Sequence, residues 1–112
     1  MAQATFRNGC PLFVDYTPSG SSVSAGDVVV IGDSTFIAHA DIPNGRKGAL
    51  AASGGVYRVV AGGAIAQGKK AYWDSSAHKV VAASEGNTPI GFVAPGSSAA
   101  ADGDVIEVIH LP

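Results

Sequence analysis

Apolar positions in this 112-residue chain come in short bursts rather than in long amphipathic stretches. Val28-Val29-Val30-Ile31, Val56-Tyr57-Arg58-Val59-Val60 and Val105-Ile106-Glu107-Val108-Ile109 are β-branched or aromatic runs. Gly, Pro, Asn, Asp or Ser bounds each burst, which is the signature of strands separated by turns. The pattern predicts strands at 12–16, 27–31, 35–38, 48–51, 56–60, 70–73, 79–83, 90–94 and 105–111. Asn44-Gly45 supplies the positive φ of a tight turn, and Gly32-Asp33-Ser34 and Asp74-Ser75-Ser76-Ala77-His78 read as hairpin connections. The longest stretch free of Gly and Pro, 69–85, has helical length. Asp74-Ser75-Ser76 breaks it, however, and Tyr72-Trp73 and Val80-Val81 favour strands. Only Ala64-Ile65-Ala66 and the segment 97–101 are left as candidate helical turns. The expected fold is therefore all-β.

One local solution occurs twice. Gly26-Asp27 feeds Val28–Ile31, and Gly103-Asp104 feeds the run from Val105. In each, Gly takes a turn position and Asp bonds back to turn amides before an apolar strand begins. The last strand is apolar on both faces, with Val105, Ile109 and Leu111 on one side and Ile106 and Val108 on the other. Such a strand is expected to be central in a sandwich or covered by a partner. Its edges would aggregate unless paired, so a closed barrel or an oligomer is expected.

The length fits one domain. We expect residues 1–10 to form a flexible N-terminal arm and residues 11–112 a single β domain. Charged residues are 14% of the chain against roughly 25% in ordinary soluble domains, so part of the surface is weakly polar and suited to packing on other protein. With a formal charge of −2 and only the short pairs Lys69-Lys70 and Arg46-Lys47, no basic patch exists to displace counterions from nucleic acid. No apolar run reaches membrane-spanning length. A single cysteine, Cys10, rules out an internal disulfide and reads as an inert thiol, since no base or positive charge accompanies it.

Gly63-Ala64-Ile65-Ala66-Gln67-Gly68-Lys69 has the letters of a phosphate-binding loop. Lys70 stands where the magnesium-binding hydroxyl belongs, and the sequence beyond it, Ala71-Tyr72-Trp73-Asp74, is strand-like. A working loop must open a helix whose N-terminus binds the phosphate. His39, His78 and His110 lack the close spacing of metal ligands. The aspartates sit mostly beside Gly, Ser or Pro, as turn formers do. Asp102-Gly103-Asp104 lacks the other ligands of a calcium loop. No Gly-x-Ser-x-Gly elbow is present. We expect no enzyme activity, no cofactor and no metal.

The order of soft motifs along nearly the whole chain carries a resemblance. It runs Asp15-Tyr16-Thr17-Pro18, Ser24-Ala25-Gly26-Asp27, Ala40-Asp41-Ile42-Pro43-Asn44-Gly45, Gly54-Gly55-Val56-Tyr57, Ala71-Tyr72-Trp73-Asp74, Gly86-Asn87-Thr88-Pro89-Ile90-Gly91-Phe92-Val93 and Gly103-Asp104-Val105. It resembles a family of small bacteriophage capsid cement, or decoration, proteins, once labelled as predicted recombinases. The resemblance implies a compact β-sandwich or jelly-roll-like barrel of short strands. It also implies a homodimer or homotrimer that binds the major capsid protein on the outer surface of an HK97-type capsid and bridges capsomers. Such a protein is made in the host bacterial cytoplasm and resides in the virion, with neither nucleic acid nor membrane as partner. The residues expected at the capsid or oligomer interface are Phe6, Arg7, Tyr57, Tyr72 and Trp73. Alternative readings are a phage tail or baseplate protein, a host-adhesive β-module that binds glycan through Trp73, and a nucleotide-binding recombination factor.

Overall fold

A computed structural model describes residues 3–112 and contains strands but no helix. The strands are β1 (Thr5–Asn8), β2 (Leu12–Tyr16), β3 (Val28–Ile31), β4 (Ser34–Ala38), β5 (Gly48–Ser53), β6 (Val56–Val60), β7 (Lys70–Asp74), β8 (Lys79–Val81), β9 (Thr88–Val93) and β10 (Val105–His110). They form two antiparallel sheets, one ordered β1-β6-β10-β9-β7-β8 and the other β2-β5-β4-β3. All nine predicted strands are present, with ends shifted by a residue or two.

The inner faces of the two sheets meet in one core. Tyr57, Val59, Trp73, Val80, Ile90, Val93, Ile106 and Val108 come from the larger sheet, and Ile37 and Ala51 from the smaller. Alternation along each strand selects these residues, since a strand's side chains point alternately to its two faces. The smaller sheet buries its other face too. Leu50, Ala38, Phe36, Val29 and Tyr16 pack there with Val23 and Ile42, which pair with each other from the loops 17–27 and 39–47. Strand β10 is central, between β6 and β9, as its apolar faces require. Its inner side chains Ile106, Val108 and His110 are buried, while Glu107 and Ile109 are half-buried on the outer face.

Two expectations differ from the structure. Of the expected arm, residues 1–2 lie outside the described residues, whereas Gln3 to Asn8 are tied into the domain. Ala4 is 2% exposed and its N–H donates to the Gly26 carbonyl at 2.9 Å. The Gln3 amide oxygen accepts from the Val28 N–H at 3.0 Å, and β1 pairs with β6. The two candidate helical turns pair with each other instead. Ile65 and Ala99 form an antiparallel bridge, with N–H···O distances of 3.0 and 2.8 Å. Both side chains are buried, and core packing outweighs the helix propensity of the surrounding alanines.

Candidate interaction surface

Strands β1 and β2 follow each other in sequence but are edges of different sheets. The β1–β2 connection runs beside the β5–β6 connection so closely that a Cβ on Gly9 would stand 2.8 Å from the Gly55 Cα. This crossover puts both free edges on one side of the molecule. Phe6 from β1 and Phe13 from β2 converge there on His39, with ring centroids 4.8 and 4.9 Å from the imidazole. Eight large apolar residues are exposed among the described ones, and four of them, Phe6, Leu12, Phe13 and Val14, lie on these two strands. Among the described residues the outer edge of each strand pairs with no further strand, and each strand carries one irregularity, between Phe6 and Asn8 in β1 and between Leu12 and Phe13 in β2.

Below the exposed rings lies a neutral, hydrogen-bonded layer. His39 Nε2 and the Tyr57 hydroxyl share a hydrogen bond of 2.6 Å. Burial pushes the Tyr57 phenol up to about 12 and lowers the His39 pKa. Tyr57 also packs edge-on against His110, at 5.8 Å. His110 Nε2–H donates to the Thr35 carbonyl at 3.0 Å, and the Thr35 hydroxyl donates to the Pro89 carbonyl at 3.0 Å, so these bonds tie one sheet to the other. His110 Nδ1 is buried with no partner among the described residues, and burial lowers the pKa of this imidazole. Of the charges near the seam, Arg7 pairs with Glu107 at 3.1 Å and Lys47 with Asp15 at 3.2 Å, while Arg58, opposite Thr5 of β1, is exposed with no ion pair among the described residues. A partner covering the Phe6 and Phe13 rings would dehydrate rings and aliphatic carbon and leave the outward Arg58 in solvent.

The structure sorts the five expected interface residues into three groups. Phe6 and Arg7 are exposed on edge strand β1. Tyr72 is half-buried on the outer face of the larger sheet, lining a cleft with Pro89, Phe92 and Leu111. Tyr57 and Trp73, 0% and 1% exposed, are core residues. They sit at inward parity in β6 and β7, so neither can touch a partner without unfolding the sheet. Missed by the sequence reading were Leu12, Phe13, Val14 and His39. The signal for the first three is their apolar run next to Cys10-Pro11, in the strand expected at 12–16.

Four of the seven amides of the loop 63–69 are already committed to the protein's own acceptors. Ile65 N–H donates to Ala99 O, Gln67 N–H to the Ser98 hydroxyl at 2.9 Å, Gly68 N–H to Val93 O at 2.8 Å and Lys69 N–H to Ala66 O at 3.2 Å. Lys70 then enters β7 directly. The structure does bring two of the separated histidines, His39 and His110, onto a single ring, that of Tyr57.

No curated protein and no solved structure matches the chain. A family model described as phage cement protein matches residues 11–110, which takes in both sheets from β2 to β10 and the Phe13 half of the seam. The chain belongs to the phage cement protein family, whose members are structural proteins associated with the capsid.

Proposed function

We propose that this protein is a decoration protein of the capsid exterior, docking on an HK97-type shell through the β1–β2 seam and bridging neighbouring capsomers as a homodimer or homotrimer. The observation that carries the reading is the concentration of Phe6, Leu12, Phe13 and Val14 on two adjacent free edges over a charge-free floor. Edge strands can accept an extended segment through main-chain bonds, and exposed aromatic rings act as anchors in such contacts. Arg7 flanks the contact; Tyr72, four strands away from β1 in the larger sheet, is assigned to the contact between copies. The protein acts by linkage, because a ligand that binds only the assembled, mature shell shifts the equilibrium away from its disassembled state. Repetition of the site over a lattice adds avidity, so individually weak contacts suffice. No step of this mechanism needs a catalytic group, and no cofactor enters it.

The test is binding to expanded, mature capsids, read by co-sedimentation and by the melting temperature of the shell. The native chain should sediment with the shell and raise its melting temperature. Phe13→Asp with Leu12→Asp should abolish both effects while leaving the fold intact, because the two residues are 46% and 62% exposed. Unimpaired binding by that double variant would overturn the seam as the docking surface.

A further inference from the structure

A second cavity, of about 260 Å³, lies between the loop after β2 and the β7–β8 turn and shares no lining residue with the seam core of Phe6, Phe13 and His39. Trp73 and His78 form one wall, with Ser19, Ser21, Ser22 and Ser75 around it. Trp73 is 1% exposed and its indole N–H has no acceptor among the described residues. A buried donor of this kind is almost always paired in a native protein. The His78 ring lies parallel to the indole, 8° between planes and 6.2 Å between centroids. Its backbone has a φ of 57°, the one positive value outside glycine among the described residues. The turn holds it there: the Asp74 carbonyl accepts from His78 N–H at 2.8 Å, and the Asp74 carboxylate accepts from Ser76 and Ala77 N–H.

The lining narrows the ligand. No lysine or arginine faces the cavity, which disfavours an anion. Its one carboxylate, Asp27, already accepts from Gln3 Nε2 at 3.3 Å and Ser24 N–H at 3.0 Å, so it does not offer a bare cation site. What remains is a ring of hydroxyls that both donate and accept, and the flat face of the exposed His78 imidazole, which covers the buried indole. That set matches a molecule with hydroxyls around its rim and C–H groups on its face. We propose that this cavity binds a neutral pyranose saccharide. Sugar hydroxyls pair with the serines and a C–H face lies against the imidazole of His78, with the Trp73 indole directly behind it as a reporter.

Trp73 is the only tryptophan in the chain, so its emission and its indole N–H resonance report on this cavity alone. The full chain is titrated with methyl glycosides of glucose, galactose and mannose and with N-acetylglucosamine, beside a purified bacterial surface polysaccharide. The expected result is a saturable shift of the indole resonance by at least one glycoside, with dissociation constants as weak as the millimolar range. Saturation by glycoside and polysaccharide together assigns the terminal sugar of a surface glycan. Saturation by glycoside alone assigns a free sugar, and either supports the site. His78→Ala and Ser75→Ala alter exposed positions and should each weaken binding about tenfold with the thermal midpoint unchanged. An indole resonance that no saccharide moves, or a shift that persists undiminished in both variants, would overturn the proposal.

Discussion

Replacing Gly91 with alanine tests the centre of the larger sheet. Gly91 lies in β9, paired with Ala71 of β7 on one side and His110 of β10 on the other. Its φ is +145°, a region that residues with a Cβ rarely adopt, and the added methyl would overlap the Ile109 carbonyl oxygen. It would also stand 2.8 Å from Leu111 N and 2.9 Å from Ile109 C, all backbone atoms that cannot rotate away. Relief requires β9 and β10 to part by roughly an ångström, which carries the Leu111 N–H to Ile90 O bond, now 3.1 Å, beyond hydrogen-bonding range. Each buried group stranded this way costs about 1–3 kcal/mol, and a strained backbone adds about as much again. The sum, about 4–5 kcal/mol, approaches the whole stability of a small domain. At about 3–6 °C per kcal/mol for a chain of this length, the thermal midpoint should fall by roughly 12–30 °C, or the variant should fail to fold. The control is Gly63→Ala, where a Cβ meets nothing within 4 Å. It should leave the midpoint unchanged or raise it by the equivalent of about 0.4–1 kcal/mol. Far-ultraviolet circular dichroism during heating reads both. A Gly91→Ala midpoint within a few degrees of the parent would refute this account of the β9–β10 register.

Further outcomes follow from the buried aromatic layer and the seam. The native fold holds His110 below the ordinary 6.5, so the unfolded chain binds more protons as pH falls under that value; the thermal midpoint should therefore drop on acidification, and His110→Leu should lessen the slope. At the alkaline end the sign reverses. The Tyr57 phenol is raised from 10.0 to about 12, so its stabilising effect is complete below pH 10 and is lost as pH climbs toward 12, a loss that Tyr57→Phe should remove while costing about 1 kcal/mol at neutral pH for its bond to His39. Cys10 is exposed in the β1–β2 connection, so an aromatic disulfide reagent should label it readily in the free protein and slowly on the capsid; equal rates would place the contact elsewhere.

Strand positions were legible because turn chemistry punctuates them, and the centrality of β10 followed from its apolar faces. Strand parity separates the aromatics as well. Arg58 shares a face with Val56 and Val60, which leaves Tyr57 and Val59 to point inward. Lys70 and Asp74 share a face with Tyr72, which sends Ala71 and Trp73 into the core. A charged residue two positions away identifies the outer face of a strand, so these neighbours contained the signal that Tyr57 and Trp73 are core and Tyr72 is not. Strand β1 was hidden because Thr5-Phe6-Arg7-Asn8 is short and mostly polar; its strand state comes from pairing with β6 and from the anchoring of Ala4 and Gln3.

The proposed docking seam is a tertiary property, and local sequence could not display it. Leu12-Phe13-Val14 has the composition of a buried strand, and only the order of strands in the two sheets leaves β2 at an edge. His39 gains its place through the crossover that brings β1 and β2 to the same side, and its neutral pairing with Tyr57 spans residues far apart in the chain. The glycine loop at 63–69 shows the reverse failure, in which letters suggest a site that backbone bonding denies. A phosphate cradle depends on amides left free by a helix N-terminus. Here the amides of Ile65, Gln67, Gly68 and Lys69 are committed to the protein's own acceptors, and those bonds fasten the β9 end of the larger sheet to the loop before β10. The same glycines that imitate a nucleotide site thus serve the rigidity of the scaffold, on which the proposed bridging of capsomers would depend.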